Sequence, residues 1–430
     1  MNKTNFFGLV LLLALFSLAL SGCFSSDDGS VSSESDEASC TDGVDNDADG
    51  KADSLDSDCA QFYNDSLTDD TSSTDSFVAP SRYTYGIQPS SVNETRLQAI
   101  YASWLAKHYV ENDDQTMARI TWDKEDSTVS EGIGYGMLIL VAMDPEATRF
   151  SRLWNYYQNF LDGNSLMRWK VYGFETAELS GSASDADLDV ATALLLGYAK
   201  WNNADFLSAA QSLIRNILDG EVNHTNGELV SDSLWLEPGD SWGQKNMVYN
   251  PGYIATGPMF LFSSVDTALW TNIRTQNYTL IQNCQNAYTG TVADWCTVSG
   301  AQSGSRSHDY GLEAIRMPWR LALDYYWTGS SDAKDVNKLF ADYILNLAGS
   351  DLDNLSSGYT WEGEAASSGT ASTIYMGSYC LAMAQDDSRQ SILDDCFGRL
   401  LEGTATSYYI QTLQLLYAVT LAGLLPMPSL

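Results

Sequence analysis

Ser130-Glu131-Gly132-Ile133-Gly134-Tyr135-Gly136-Met137 runs without a break into Leu138-Ile139-Leu140-Val141-Ala142-Met143, so a single carboxylate heads an apolar stretch among three glycines. The apolar stretch reads as a buried helix, with Ser130 placed to cap it and Glu131 in its first turn. Glycine in a first turn costs helix stability. The three glycines therefore either clear room for a bulky ligand beside Glu131 or let the helix pack closely on a neighbour. The same texture recurs at 188–196 and 412–424, which are apolar almost all round. Helices are expected over 94–109, 136–143, 147–160, 187–202, 206–219, 313–326, 333–349, 373–384 and 409–422. No two-residue alternation persists, and no nucleotide-type glycine loop follows a strand. This is the pattern of an all-α domain, with the wholly apolar helices forming the inner ring of a layered helical barrel.

Composition narrows the partners. Of 430 residues, 44% are apolar and 12% aromatic, enough for a large core. The 56 Asp and Glu against 22 Lys and Arg leave a formal net charge of −34, which argues against nucleic acid and against anionic membrane surfaces. That balance suits neutral polymers, cationic polymers or calcium. Twelve Trp and 24 Tyr fit a surface that stacks on sugar rings, beyond those the core consumes.

The first 23 residues read as a signal peptide. Lys3 supplies the charge and 6–20 an apolar run too short for a stop-transfer helix. It ends Leu20-Ser21-Gly22-Cys23, which looks like a bacterial lipoprotein cleavage site with Cys23 lipidated. Phe24 follows rather than Asp, so an exported protein at the outer membrane or cell surface is expected, touching the membrane only through its anchor. Residues 24–80 are dense in Ser, Asp and Glu and read as a disordered acidic tether. Within it, between Cys40 and Cys59, Asp45, Asp47, Asp49, Asp53 and Asp56 fall at loop positions one, three, five, nine and twelve, with Gly50 at six. Alternate carboxylates converging on a hard cation around a sharp glycine turn are the spacing of a structural calcium loop. Setting Cys23 aside leaves six cysteines in three local pairs, Cys40/Cys59, Cys284/Cys296 and Cys380/Cys396. In an oxidising compartment these read as disulfides, adjacent pairing being the simplest option. Residues 81–430 form the remaining domain, expected to be monomeric.

Two further acid constellations open apolar helices. In Ala183-Ser184-Asp185-Ala186-Asp187-Leu188-Asp189-Val190, Asp187 and Asp189 lie at or near a first turn, where free amides favour anions. Capping accounts for Asp189, whereas Asp185 and Asp187 are more acid than a cap needs. In Ser307-His308-Asp309-Tyr310-Gly311-Leu312-Glu313-Ala314-Ile315-Arg316-Met317-Pro318-Trp319-Arg320, Glu313 and Arg316 share a helix face. A surface ion pair is the ordinary reading of that spacing. Pro318 inside the helix suggests a kink.

The three segments together resemble glycoside hydrolase family 8. Ser130–Met137 matches the family's acid motif, and 183–201 follows its long signature with Val190 in place of the usual Ile or Met. Leu166-Met167-Arg168-Trp169, Asn250-Pro251-Gly252-Tyr253, Ala293-Asp294-Trp295 and Tyr408-Tyr409-Ile410-Gln411 follow in the family's order. The resemblance implies an (α/α)6 barrel with a cleft across the inner-helix ends. It also implies cofactor-free hydrolysis of a β-1,4-linked polysaccharide with inversion.

Carried over position by position, Glu131 looks like the general acid. Asp185 looks like a residue that grips and distorts the sugar, with Asp187 beside it. Trp169, Tyr253, Arg316 and Tyr135 look like cleft residues. The chain departs from the family at the base: many members carry Asp-Ala-x-Arg where this one has Glu313-Ala314-Ile315-Arg316. Glu313 is favoured, with Asp309 as the competitor and an acid from an inserted loop as a third option. Endo-β-1,4-glucanase is the leading activity, then xylanase, then chitosanase. A non-catalytic glycan-binding lipoprotein should have lost one of the acids, and a structural surface protein would leave the ordered motifs unexplained.

Overall fold

The computed structural model describes residues 83–429 apart from 125, 226–227, 242–247 and 406. The expected signal peptide with Cys23, the tether, the calcium loop and the Cys40/Cys59 pair lie outside the described residues. Twelve α-helices are present among those described: α1 (Glu94–His108), α2 (Ser130–Met143), α3 (Thr148–Asn159), α4 (Ser184–Trp201), α5 (Ala204–Glu221) and α6 (Thr256–Phe262), then α7 (Thr267–Asn283), α8 (Met317–Thr328), α9 (Ser331–Ala348), α10 (Thr373–Met383), α11 (Gln390–Glu402) and α12 (Tyr408–Leu421). The even-numbered helices pack side by side into a closed ring, α12 returning to α2. Nearly every residue of α2, α4, α8, α10 and α12 is buried. The odd-numbered helices lie outside. Each buries one stripe, as with Phe206, Ala210, Leu213, Ile214 and Ile217 of α5. The result is an (α/α)6 barrel, and the difference in apolar width between the two rings is what sorts them.

Among the described residues three small antiparallel sheets edge the barrel: Tyr109–Glu111 with Ala118–Ile120, then Ser127–Val129 with Lys170–Tyr172 and Thr176–Ala177, and His224–Thr225 with Glu228–Leu229. The second matters most. It delivers the chain directly into α2 at Ser130, whose N–H bonds the Trp169 carbonyl at 2.9 Å.

Several expectations are corrected. Helix α2 begins at Ser130, six residues before the span expected over 136–143; Glu131 lies in its first turn as expected, and no side chain caps it. Its glycines serve packing. A Cβ on Gly132 would lie 3.1 Å from the Tyr408 hydroxyl, one on Gly134 2.9 Å from Asp189 Cβ, and one on Gly136 2.8 Å from Ile120. Pro318 causes no kink, because α8 starts at Met317 and Pro318 falls in its first turn, where no helical N–H is lost. Helices α6, α7 and α11 were not anticipated. Cys284 is bonded to Cys296 and Cys380 to Cys396, as adjacent pairing predicts.

Candidate active site

Asp185 and Asp189 are four apart at the head of α4 and share a face, while Asp187 between them points the other way. Across the ring, Arg316 and Arg320 are likewise four apart. The two pairs meet as rungs of a ladder. Arg316 Nη1 bonds Asp185 Oδ2 at 2.9 Å, and Arg320 grips Asp189 with both terminal nitrogens. Asp189 is therefore half of a buried ion pair, and the capping role expected for it is corrected.

Arg316 does more than close a rung. Its Nη1 also bonds Glu131 Oε2 at 2.9 Å, and its Nη2 bonds Glu313 Oε2. The guanidinium lies 5.0 Å from the Tyr253 ring centre. One cation thus holds three carboxylates, each from a different motif. Its own side chain is 1% exposed, Asp185 2%, Glu131 19% and Glu313 34%, a gradient from the cleft floor to its mouth. The expected surface pair of Glu313 with Arg316 is instead the centre of the site. These carboxylates line a cleft of about 440 Å³ together with Trp122, Trp169, Tyr253, Tyr408 and Tyr409.

Electrostatics differentiate the acids. Glu131 is pushed up to about 7, chiefly because burial disfavours its charged form, with Asp185 and Glu313 adding repulsion against the pull of Arg316. Asp185 is raised to about 6 by burial. Its Oδ1 is buried and without a protein partner, an acceptor left for a hydroxyl of whatever occupies the cleft. Glu131 Oε1 accepts the Tyr408 hydroxyl at 3.0 Å.

Glu313 is positioned by Asn250, Gly252 and Asp294, residues whose role the sequence alone does not reveal. Asn250 Nδ2 donates to its Oε2 at 2.8 Å. Gly252, in the 3-10 turn Pro251–Tyr253, passes so close that a Cβ would sit 2.4 Å from the Glu313 carbonyl. Asp294 Oδ1 accepts the backbone N–H groups of Gly311, Glu313 and Ala314 at 3.1, 2.9 and 2.8 Å, pinning the turn that carries Glu313. Trp122 and Asp123, which also accepts the Tyr408 N–H, gave no signal in the sequence.

Three expected residues are not brought into the cleft. Asp309 is exposed and accepts the Trp361 N–H at 3.3 Å, outside the Arg316 cluster. Asp187 is fully buried on the far side of α4, accepting the Tyr157 hydroxyl. Burial raises it to about 7 and also holds its neighbour Glu221 well above the usual carboxylate range. Tyr135 is fully buried beneath the floor, its hydroxyl 3.4 Å from Arg316.

A family model, Glycosyl hydrolases family 8, matches residues 100–422. The chain belongs to this family. It is a glycoside hydrolase. It is 30% identical over 348 residues to Endoglucanase 2 of Ruminiclostridium josui, covering 78% of this chain and 73% of that one. It is 27% identical over 386 residues to the beta-glucanase of Niallia circulans, covering 81% and 92%. Among solved structures, the beta-1,3-1,4-glucanase of Paenibacillus sp. X4 superposes with a TM-score of 0.71 at 24% identity, over 79% of this chain and 95% of that one.

Asp294→Ala should lower the unfolding free energy by about 1–3 kcal/mol or more, since buried N–H groups lose their acceptor. Loosening Glu313 should also cut the family-8 activity, by up to about 10² in kcat. Denaturant titration and kinetics of the same preparation check both effects. Stability and rate equal to the parent's would show that Asp294 does not hold the turn.

Proposed function

We propose that the chain is an inverting endo-β-1,4-glucanase, exported and anchored through Cys23. The observation that carries the mechanism is the single buried guanidinium of Arg316 shared by Glu131, Asp185 and Glu313. Three acids around one cation cannot all ionise cheaply, and Glu131, raised to about 7, is the one poised to keep its proton at the cleft surface. It donates that proton to the glycosidic oxygen as the C1–O bond breaks. Glu313, held on the other guanidinium nitrogen and by Asn250, takes a proton from the water that attacks C1 on the opposite face. Asp185 Oδ1 grips a sugar hydroxyl through the transition state. After the step Glu131 is ionised and Glu313 protonated, and exchange with solvent resets both.

The names of the glucanase relatives support a glucan substrate, as do the rings of Trp122, Trp169 and Tyr253 along the cleft, apolar faces for pyranose rings. Two disulfides agree with an oxidising compartment.

Glu131→Gln and Glu313→Gln should each lose ~10²–10⁴ in rate on β-1,4-glucan with folding unchanged, whereas Asp309→Asn stays within a few-fold. A dead Asp309→Asn with an active Glu313→Gln would reverse the assignment of the base. The acid must be protonated to work, so the parent's kcat/KM should fall as pH rises through about 7. That limb should be missing from the residual activity of Glu131→Gln; its persistence there would place the titrating group elsewhere. Anchoring has its own check. Cys23→Ala should leave the membrane fraction, and unchanged membrane association would count against lipidation.

A further inference from the structure

Outside the cleft, the outer helices α3 and α5 enclose a groove of about 610 Å³, larger than the cleft itself and within the usual range of about 300–1,000 Å³ for small-ligand sites. Its lining is unusual for so acidic a chain. Asp205 is its one charged residue, against 56 Asp and Glu in the sequence. The rest of the polar lining is neutral: Gln158, the amides of Asn155 and Asn216, each of which gives one N–H to a backbone carbonyl and has a second N–H and an oxygen beyond it, and serine hydroxyls such as Ser212, which donates to the Ser208 carbonyl. Beside them stands Trp154, partly exposed, with Tyr157 stacked on it at 5.1 Å between ring centres. An ionic partner would call for opposed charge, which the groove does not offer. A neutral sugar calls for this combination, an indole for its apolar face and amides that both donate and accept for its hydroxyls.

Position links the groove to the cleft. Leu161 and Ser165, in the loop after α3, line the groove, and the same loop ends at Trp169, which lines the cleft. Tyr157 at the groove base donates its hydroxyl to Asp187, two residues beyond Asp185. We propose that this groove is a second glycan-binding site that holds a further stretch of the same neutral β-glucan outside the cleft. The identity of the glycan rests on the glucanase reading above; the site itself does not. A chain anchored there stays attached while other stretches of it pass through the cleft.

The test is calorimetric titration of the full chain with cellohexaose and, separately, xylohexaose, using the Glu131→Gln background to stop turnover. Two classes of site are expected with cellohexaose. Trp154→Ala should weaken one class by roughly tenfold or more, as loss of an aromatic anchor does, and leave the other. Ser212→Arg, which fills the groove from an exposed position and spares the core, should do the same. In the otherwise native enzyme, both substitutions should leave kcat/KM on cellopentaose unchanged and lower it on polymeric β-glucan. A single class of site that neither substitution alters would overturn the proposal. Xylohexaose filling both sites where cellohexaose fills neither would keep the groove and overturn the glucan reading.

Discussion

Arg316 and Arg320 reach across the helical ring to Asp185 and Asp189, and the active centre depends on those two rungs. All four side chains are nearly or fully buried. Charges buried to this degree are costly unless paired, and removing one partner leaves the other stranded. The lower rung, Arg320 with Asp189, is purely internal. It fixes the register of α4 against α8. The upper rung is the same pairing raised by one turn, and there the guanidinium has two further carboxylates to hold.

Those two additions turn a structural ion pair into chemistry. The head of α2 supplies Glu131 because the glycines let that helix lie against Tyr408, α4 and the side chains of Ile120 and Leu153. The turn before α8 supplies Glu313 because Asp294 gathers its N–H groups and Gly252 lets the neighbouring turn approach. A shared cation holds the acids close without letting them touch. Burial, with repulsion from Asp185 and Glu313 working against the pull of Arg316, leaves Glu131 with its proton to about pH 7. In the proposed mechanism acid and base differ in their surroundings rather than in residue type, since both are glutamates.

Much of this was legible in the sequence. The wholly apolar helices announced an inner ring, and the spacing of Glu313 and Arg316 announced their pairing, although not that it would be buried. Two of the three helices that escaped notice have physical reasons. Helix α6 is only seven residues and contains Gly257 and Pro258, and α7 is rich in Thr, Asn and Gln with little apolar contrast. Within the site, Asp185 and Asp187 looked equivalent because both precede the apolar run. Helical geometry sends them to opposite faces, one to Arg316 and the other to Tyr157. Trp122 and Asp123 could not be found, since their place in the cleft depends on how the chain turns between the short strands Ala118–Ile120 and Ser127–Val129.

The central claim is that Glu131 and Glu313 work from opposite sides of a sugar, with a water between the sugar and Glu313. Early-time proton NMR of the products from a β-1,4-glucan tests it most directly. A single displacement by water places the new reducing end in the α configuration, which then relaxes to the β anomer by mutarotation. The account predicts that the α-anomeric signal appears first. A β signal appearing first would mean that a carboxylate attacks C1 itself, and would contradict the roles assigned around Arg316.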